Sequence, residues 1–160
     1  MPTHARIKGR ALQYKAVTGV TVEAHPSKSY PGDAGFDLTV SRSVEVAPGA
    51  FASIPTNLAI ALPAGHWGLL VGRSSTFHKK GLIVNTSIID NGYRGEIFAL
   101  VFNPSKQRII THKGERLFQL IPLPLAAIAA REVDTLPPSE RDTKGFGSSG
   151  GFAPASEGGK

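Results

Sequence analysis

In the stretch NTSIIDNGYRGEIFALVFN, residues 85–103, a turn signal sits between two apolar runs. The signal is Asn91-Gly92, because both residue types tolerate φ > 0. Ile97 to Phe102 is an unbroken apolar run of strand length and reads as a buried strand. The stretch therefore predicts a hairpin, with Ser87-Ile88-Ile89 on one arm and EIFALVF on the other. A hairpin does not account for an acid, Asp90, at the lip of the turn, with Tyr93 and Arg94 close behind. Taken alone, such a tip is a solvated surface loop.

Runs of the same kind recur outward in both directions: VTGVTVEA, FDLTV, FASIPTNLAIAL, HWGLLVG, RIITHK and RLFQLIPLPL. They are rich in Val, Ile, Phe and Thr and are separated by turn signals such as Pro48-Gly49 and Lys113-Gly114. That pattern predicts an all-β fold, a jelly-roll-like β-barrel of many short strands. One short segment, Ser74 to Lys80, reads as helical, with Ser74 or Ser75 as N-cap and Gly81 as the stop. Ala126 to Ala130 has helical propensity, but Pro122, Pro124 and the following Leu-Pro-Pro favour an extended segment. From Ser139 the glycine-rich composition without periodicity predicts a mobile arm. The expected organisation is a β-barrel domain over 1–138 and an arm over 139–160.

The 160 residues give one domain with a core large enough to fold without staples. The chain has no cysteine, which excludes disulfides, a thiol nucleophile and thiolate metal sites. Its five histidines lack metal-ligand spacing, so a protein-ligated structural zinc is not expected. No signal-like apolar segment and no run of 18 apolar residues is present, so a cytoplasmic, non-membrane protein is expected. The net charge of +6 suggests an anionic partner, and Arg6, Lys8, Arg10 and Lys15 concentrate part of it in one acid-free segment. Charge alone does not separate nucleic acid from nucleotide.

Four further fragments stand out. RDTKGFGSSGGF at 141–152 joins glycines, which let backbone N–H groups approach an anion, to Arg141, Ser148, Ser149 and a lone Phe146 able to stack on a base. Its plain reading is a linker. VGRSST at 71–76 sets Arg73 before Ser74 and Ser75 at a strand end and helix start, an anion site or a simple N-cap. In PGDAGFDLTV, Asp37 interrupts an apolar strand, where a charge must be paired structurally or lie near a metal. In GERLFQLIPL, Gln119 stands alone among apolar residues and, if it faces inward, needs partners.

Taken in order, A-G-F-D-L, G-R-S-S, I-D-N-G-Y-R-G-E, G-E-R-L-F-Q-L and R-D-T-K-G-F-G-S-S-G resemble the five motifs of the homotrimeric dUTPase family, across residues of about 20 to 152. The resemblance implies hydrolysis of dUTP to dUMP and pyrophosphate, with Mg²⁺ as cofactor and active sites shared among three subunits. It makes Asp90 the base that activates the water attacking the α-phosphorus. It puts Tyr93 under the deoxyribose, where a 2′-hydroxyl would lose its hydrogen bonds, and adds Asn85, Ile89 and Phe146 around the nucleoside. Arg73, Ser74, Ser75, Gln119, Arg141, Ser148 and Ser149 would hold phosphates. Asp37 would reach the metal through water, since Mg²⁺ keeps several waters and leans on substrate phosphates.

Three positions depart from the family pattern. Ser87 stands where a Gly is usual, Asn85 is one residue closer to Asp90 than the usual uracil-contacting Asn, and Asp142 replaces the Gly after the arginine, implying a stiffer hinge. The related dCTP deaminases also carry G-R-S-S, but they place a catalytic Glu where this chain has Leu100 and an arginine where it has His78. A basic β-domain binding nucleic acid is the reading from another class. Such binding is compatible with the basic segment, but the aromatics do not interleave with Lys and Arg as a stacking platform requires.

Overall fold

In a computed structural model, the structure describes residues 11–18 and 25–143, which divide into two compact units, Met1–Ala126 and Ala127–Lys160. Among the described residues, the first holds ten strands: β1 (Gln13–Ala16), β2 (Phe36–Thr39), β3 (Val44–Val46), β4 (Phe51–Ala61), β5 (His66–Gly72), β6 (Ile83–Val84), β7 (Ser87–Ile89), β8 (Glu96–Phe102), β9 (Ile109–Thr111) and β10 (Arg116–Pro124). They form two four-stranded sheets, ordered β1-β4-β8-β6 and β2-β10-β5-β7, with β3 and β9 as a separate pair. Every pairing among the described strands is antiparallel. The all-β, jelly-roll-like expectation holds, as facing sheets rather than a closed barrel. In the second unit, residues 127–143 form no strand or helix, and Ala126 to Ala130 is not helical.

One core joins the sheets. Leu38, Leu70, Phe118 and Leu120 come from one sheet, and Ile54, Ile60, Ile97, Ala99 and Val101 from the other. Burying a side chain as large as Phe118 stabilises by about 1.5–3 kcal/mol. Alternation along β8 decides which side chains take part. Ile97, Ala99 and Val101 are buried, while Phe98 and Leu100 are 42% and 45% exposed. The run expected to be buried throughout is buried on one face only, because side chains two apart share a face of a strand.

The predicted hairpin is not formed either. β7 pairs with β5, and β8 pairs with β4 and β6, so the turn carries the chain from one sheet to the other. The turn itself closes, with Tyr93 N–H donating to Asp90 O at 3.0 Å. Neither Asn91 nor Gly92 takes a positive φ. Positive-φ turns match the twist between two arms of one hairpin, and there is no such pair of arms here. Instead the Asn91 side-chain amide donates to Pro63 O and His66 O, both at 2.8 Å, tying the turn to the β4–β5 loop.

The helical segment covers residues 74–80 as expected and closes in a π-type turn, Thr76–Lys80, ended by Gly81 at φ 73°. Only glycine takes that conformation without steric cost. Ser75, the N-cap, makes no side-chain capping bond, so the expected hydroxyl cap is absent there. The turn is held instead by buried Thr76, whose hydroxyl donates to Leu117 O at 2.6 Å. It is held as well by Lys80, whose ammonium lies 2.5 Å from Glu115 Oε1.

That ion pair gives the fold an acid-side dependence. Partial burial pushes the Glu115 carboxyl up, but the Lys80 ammonium and the His112 N–H outweigh it and hold the group below its ordinary 4.5. A depressed folded-state pKa stabilises above the unfolded value, and the contribution is lost as pH falls through the folded one. In thermal melts from pH 7 to pH 3, the Tm advantage of the wild type over Glu115→Gln is therefore expected to shrink once pH falls below 4.5. A Tm difference that stays constant across that range would remove the ion pair from this account. Among the described residues, no helix is long and apolar enough to cross a membrane.

Candidate active site

At the corner between the sheets lies an open groove of about 270 Å³, lined by Ser87, Ile88, Ile89, Asp90, Tyr93, Glu96, Ile97, Phe98 and Leu100. It is slightly smaller than the roughly 300–1,000 Å³ of most small-molecule pockets, a size suited to part of a ligand. Ile89 and Ile97 form its buried floor and Ile88, Phe98 and Leu100 its apolar sides. Asp90 brings a carboxylate, exposed to water, to the rim. Three of the predicted residues, Ile89, Asp90 and Tyr93, thus meet in one place.

Tyr93 is held by its neighbours. Its hydroxyl donates to Glu96 O at 2.9 Å. The ring leaves no room for a side chain at Gly95, where a Cβ would lie 2.4 Å from the Tyr93 hydroxyl oxygen and 2.6 Å from Cζ. Close approach, not a turn, requires glycine at this position. Arg94 folds back, its Nη1 donating to Asn91 O at 2.6 Å and Tyr93 O at 2.7 Å. Asn85 is not among the groove-lining residues. It opens the short connection from β6 to β7, with its backbone N–H on Leu100 O at 2.8 Å and its side-chain amide on Thr86 O at 3.0 Å.

A second cluster forms on the β2-β10-β5 sheet. Register sets Gln119 of β10 opposite Asp37 of β2, and Arg73 follows the last residue of β5. Asp37 is 8% exposed and paired twice, with Arg73 Nε at 3.0 Å and Arg116 Nη1 at 3.4 Å. Both carboxylate oxygens of Asp37 thus have guanidinium partners, the structural pairing that the sequence allowed for. Arg73 also donates through Nη1 to Arg116 O at 3.1 Å. Gln119 is half-buried, with Nε2 on Gly72 O at 3.4 Å. Ser74 and Ser75 follow at the start of the helical turn. A turn this short has little macrodipole, so any anion held here would depend on side chains.

The two clusters do not meet within one chain. Ile89, next to Asp90, faces Gly68 of β5, while Arg73 lies five residues further along. At about 3.3 Å per strand residue, this puts the two ends some 17 Å apart. Arg141 lies in the second unit, within a turn in which Asp142 N–H donates to Ser139. Asp142 there adopts φ 44°, the left-handed region that a glycine takes without cost. Phe146, Ser148 and Ser149 lie outside the described residues, as do Arg6, Lys8 and Arg10. No group of three or more His, Asp or Glu able to hold a metal occurs among the described residues.

Sequence reasoning missed Arg116, the second partner of Asp37, and the groove residues Ser87, Ile88, Glu96, Phe98 and Leu100. Alternation through EIFALVF carries Phe98 and Leu100 onto one face and was the available signal. Arg116 had none, because cross-strand register is not written in either strand.

The dUTPase family model matches residues 23–150. The deoxyuridine 5'-triphosphate nucleotidohydrolase of Gloeobacter violaceus is 42% identical over 131 residues, covering 79% of this chain and 89% of that protein. The enzyme of the same name from Leifsonia xyli is 44% identical over 128 residues, covering 78% and 84%. A solved structure of a mutant dUTPase from Staphylococcus bacteriophage 80alpha with dUpNHpp has a TM-score of 0.80 at 28% identity, covering 88% of this chain and 98% of that one.

Proposed function

The chain belongs to the dUTPase family, and on that premise we propose that it hydrolyses dUTP to dUMP and pyrophosphate at the groove beside Asp90. The observation that carries the reading is the corner itself, where a carboxylate stands at the rim of a nucleoside-sized apolar groove next to a fixed tyrosine ring. The uracil and deoxyribose enter over Ile89 and Tyr93, with Phe146 closing over the base and Asn85 at the margin. Asp90 accepts a proton from water as the water oxygen bonds to the α-phosphorus. The bond from that phosphorus to the α,β-bridging oxygen breaks, and pyrophosphate leaves. Arg73, Ser74, Ser75, Gln119, Arg141, Ser148 and Ser149 stabilise the charge that grows on the phosphates.

About 17 Å separates the Asp90 and Arg73 ends along β5, so a complete site needs a second copy of the chain. A homotrimer supplies it. The outer face of the β1-β4-β8-β6 sheet supports this reading, because Phe51 is 80% and Ile83 45% exposed, beside Phe98 and Leu100. A contiguous apolar face of this kind marks an interface. Asp37 has both carboxylate oxygens on guanidinium groups, which fits a metal brought in by the substrate and reached through water rather than a direct ligand. When bound, Mg²⁺ supplies charge neutralisation at the phosphate oxygens. In the cell the reaction would limit uracil in DNA and supply dUMP for thymidylate synthesis.

The test is a panel of dUTP, dTTP, dCTP and UTP with Mg²⁺, with and without EDTA, reading pyrophosphate and nucleotide products. Expected is dUMP with pyrophosphate from dUTP, with turnover of the other three far lower, abolished by EDTA and with an unchanged Tm because the described residues hold no cluster of metal ligands. A uracil nucleotide formed from dCTP would favour the deaminase chemistry, and no turnover of any of the four would remove the enzymatic reading.

A further inference from the structure

β4 is interrupted at the point where it passes the groove. Its register with β8 shifts between Pro55 and Ala59, and Asn57 sits in the gap at φ 56°. A non-glycine residue in that conformation is uncommon, though asparagine tolerates it better than most. The bulge is fastened on three sides. Asn57 Oδ1 accepts from Thr18 N and Thr18 Oγ1, both at 3.0 Å, and Asn57 O accepts from Val17 N at 3.1 Å. Next to it, Thr56 Oγ1 donates to Ile97 O at 2.7 Å. Asn57 N–H, turned out of the ladder by the bulge, donates to Glu96 Oε1 at 2.7 Å.

Glu96 therefore works in two directions. Its carboxylate receives the bulge N–H in a charge-assisted bond, and its carbonyl receives the Tyr93 hydroxyl at 2.9 Å. It also lines the groove. With Gly95 pressed against the tyrosine ring, position 96 has little freedom to shift without moving Tyr93. We propose that Glu96 is a positioning residue: by anchoring to the Asn57 bulge it fixes the Tyr93 ring and so sets the discrimination between 2′-deoxy and 2′-hydroxy nucleotides. The proposal rests on the groove being the deoxyribose site. A carboxylate beside Asp90 invites a second proton-transfer role, but this one already accepts a backbone N–H, which suits an anchor.

The experiment measures kcat and KM for dUTP and UTP in full-length wild type, Glu96→Ala, Glu96→Gln, Tyr93→Phe and the Glu96→Ala/Tyr93→Phe double variant, each checked by circular dichroism and melting. Glu96→Ala should lower the dUTP-over-UTP ratio of kcat/KM by about tenfold, the order expected from losing one hydrogen bond to a charged group. The effect should fall mainly on KM. Glu96→Gln, whose amide oxygen can still accept the Asn57 N–H, should restore most of the ratio. The double variant should lose less than the sum of the singles, because both act on one contact. If Glu96→Ala does not fold, Glu96→Asp is read instead, since it is one methylene too short for the anchor. An unchanged ratio in a folded Glu96→Ala overturns the proposal, as does an equal collapse of kcat for both nucleotides in the Gln variant. Failure of the wild type to hydrolyse dUTP, or a Tyr93→Ala variant with an unaltered ratio, overturns the deoxyribose-site reading beneath it.

Discussion

Asp90→Asn is expected to lower kcat for dUTP by about 10²–10⁴-fold, the range that a positioned general base contributes. The substitution keeps the side chain's size and one accepting oxygen, and removes the charge and the ability to take up a proton. Its structural cost should be small. Asp90 is exposed, and the bond that closes the turn, Tyr93 N–H to Asp90 O, uses the backbone and survives the change. Surface substitutions of this kind usually stay within about ±0.5 kcal/mol, so the Tm should barely move. KM should also be nearly unchanged, because apolar walls and phosphate-binding side chains hold the substrate, while the lost interaction belongs to the transition state. Pyrophosphate release under steady-state conditions reads the effect directly. A variant with wild-type kcat would show that the corner carboxylate is not the base, whatever the family likeness.

The corner also shows how far the sequence could be read. Strand existence and the all-β class were legible because EIFALVF, HWGLLVG and RLFQLIPLPL carry their apolar periodicity locally. Pairing was not. Ser87-Ile88-Ile89 and Glu96–Phe102 flank a turn signal and read as one hairpin, yet their hydrogen bonds go to β5, β4 and β6. Partner choice depends on which faces are buried at long range, and nothing within the stretch states it. The same limit separates Asp37, whose need for a partner was evident, from Arg116, whose identity as one partner was not. Asn91 was read for its backbone freedom and is used for its side-chain amide. Of the groove residues, Asp90 and Tyr93 stood out in sequence as an acid and an aromatic flanking the turn signal, and Ile89 came with the family resemblance. Phe98 and Leu100 reach the same groove by alternation, a signal overruled by reading the whole run as buried.

Mixed oligomers test the other consequence of the geometry. In one chain the Asp90 groove and the Arg73 cluster lie about 17 Å apart along β5, so a site using both draws them from different chains. Asp90→Asn and Arg73→Gln should each be nearly inactive as pure proteins. Arg73→Gln should fold, because Asp37 retains Arg116 as partner. If the chain forms the proposed homotrimer and the two variants are co-expressed with different tags and purified through both, every trimer is mixed. In a closed three-fold ring, each mixed trimer places an intact Asp90 against an intact Arg73 at one interface. Activity per trimer should then return to about one third of wild type, from two components that are each close to zero. If a site instead used Asp90 and Arg73 of the same chain, no arrangement of the two variants would contain both, and mixing would restore nothing. A doubly tagged preparation that stays inactive, with its subunits shown to be assembled, would therefore refute the shared site while leaving the role of Asp90 untouched.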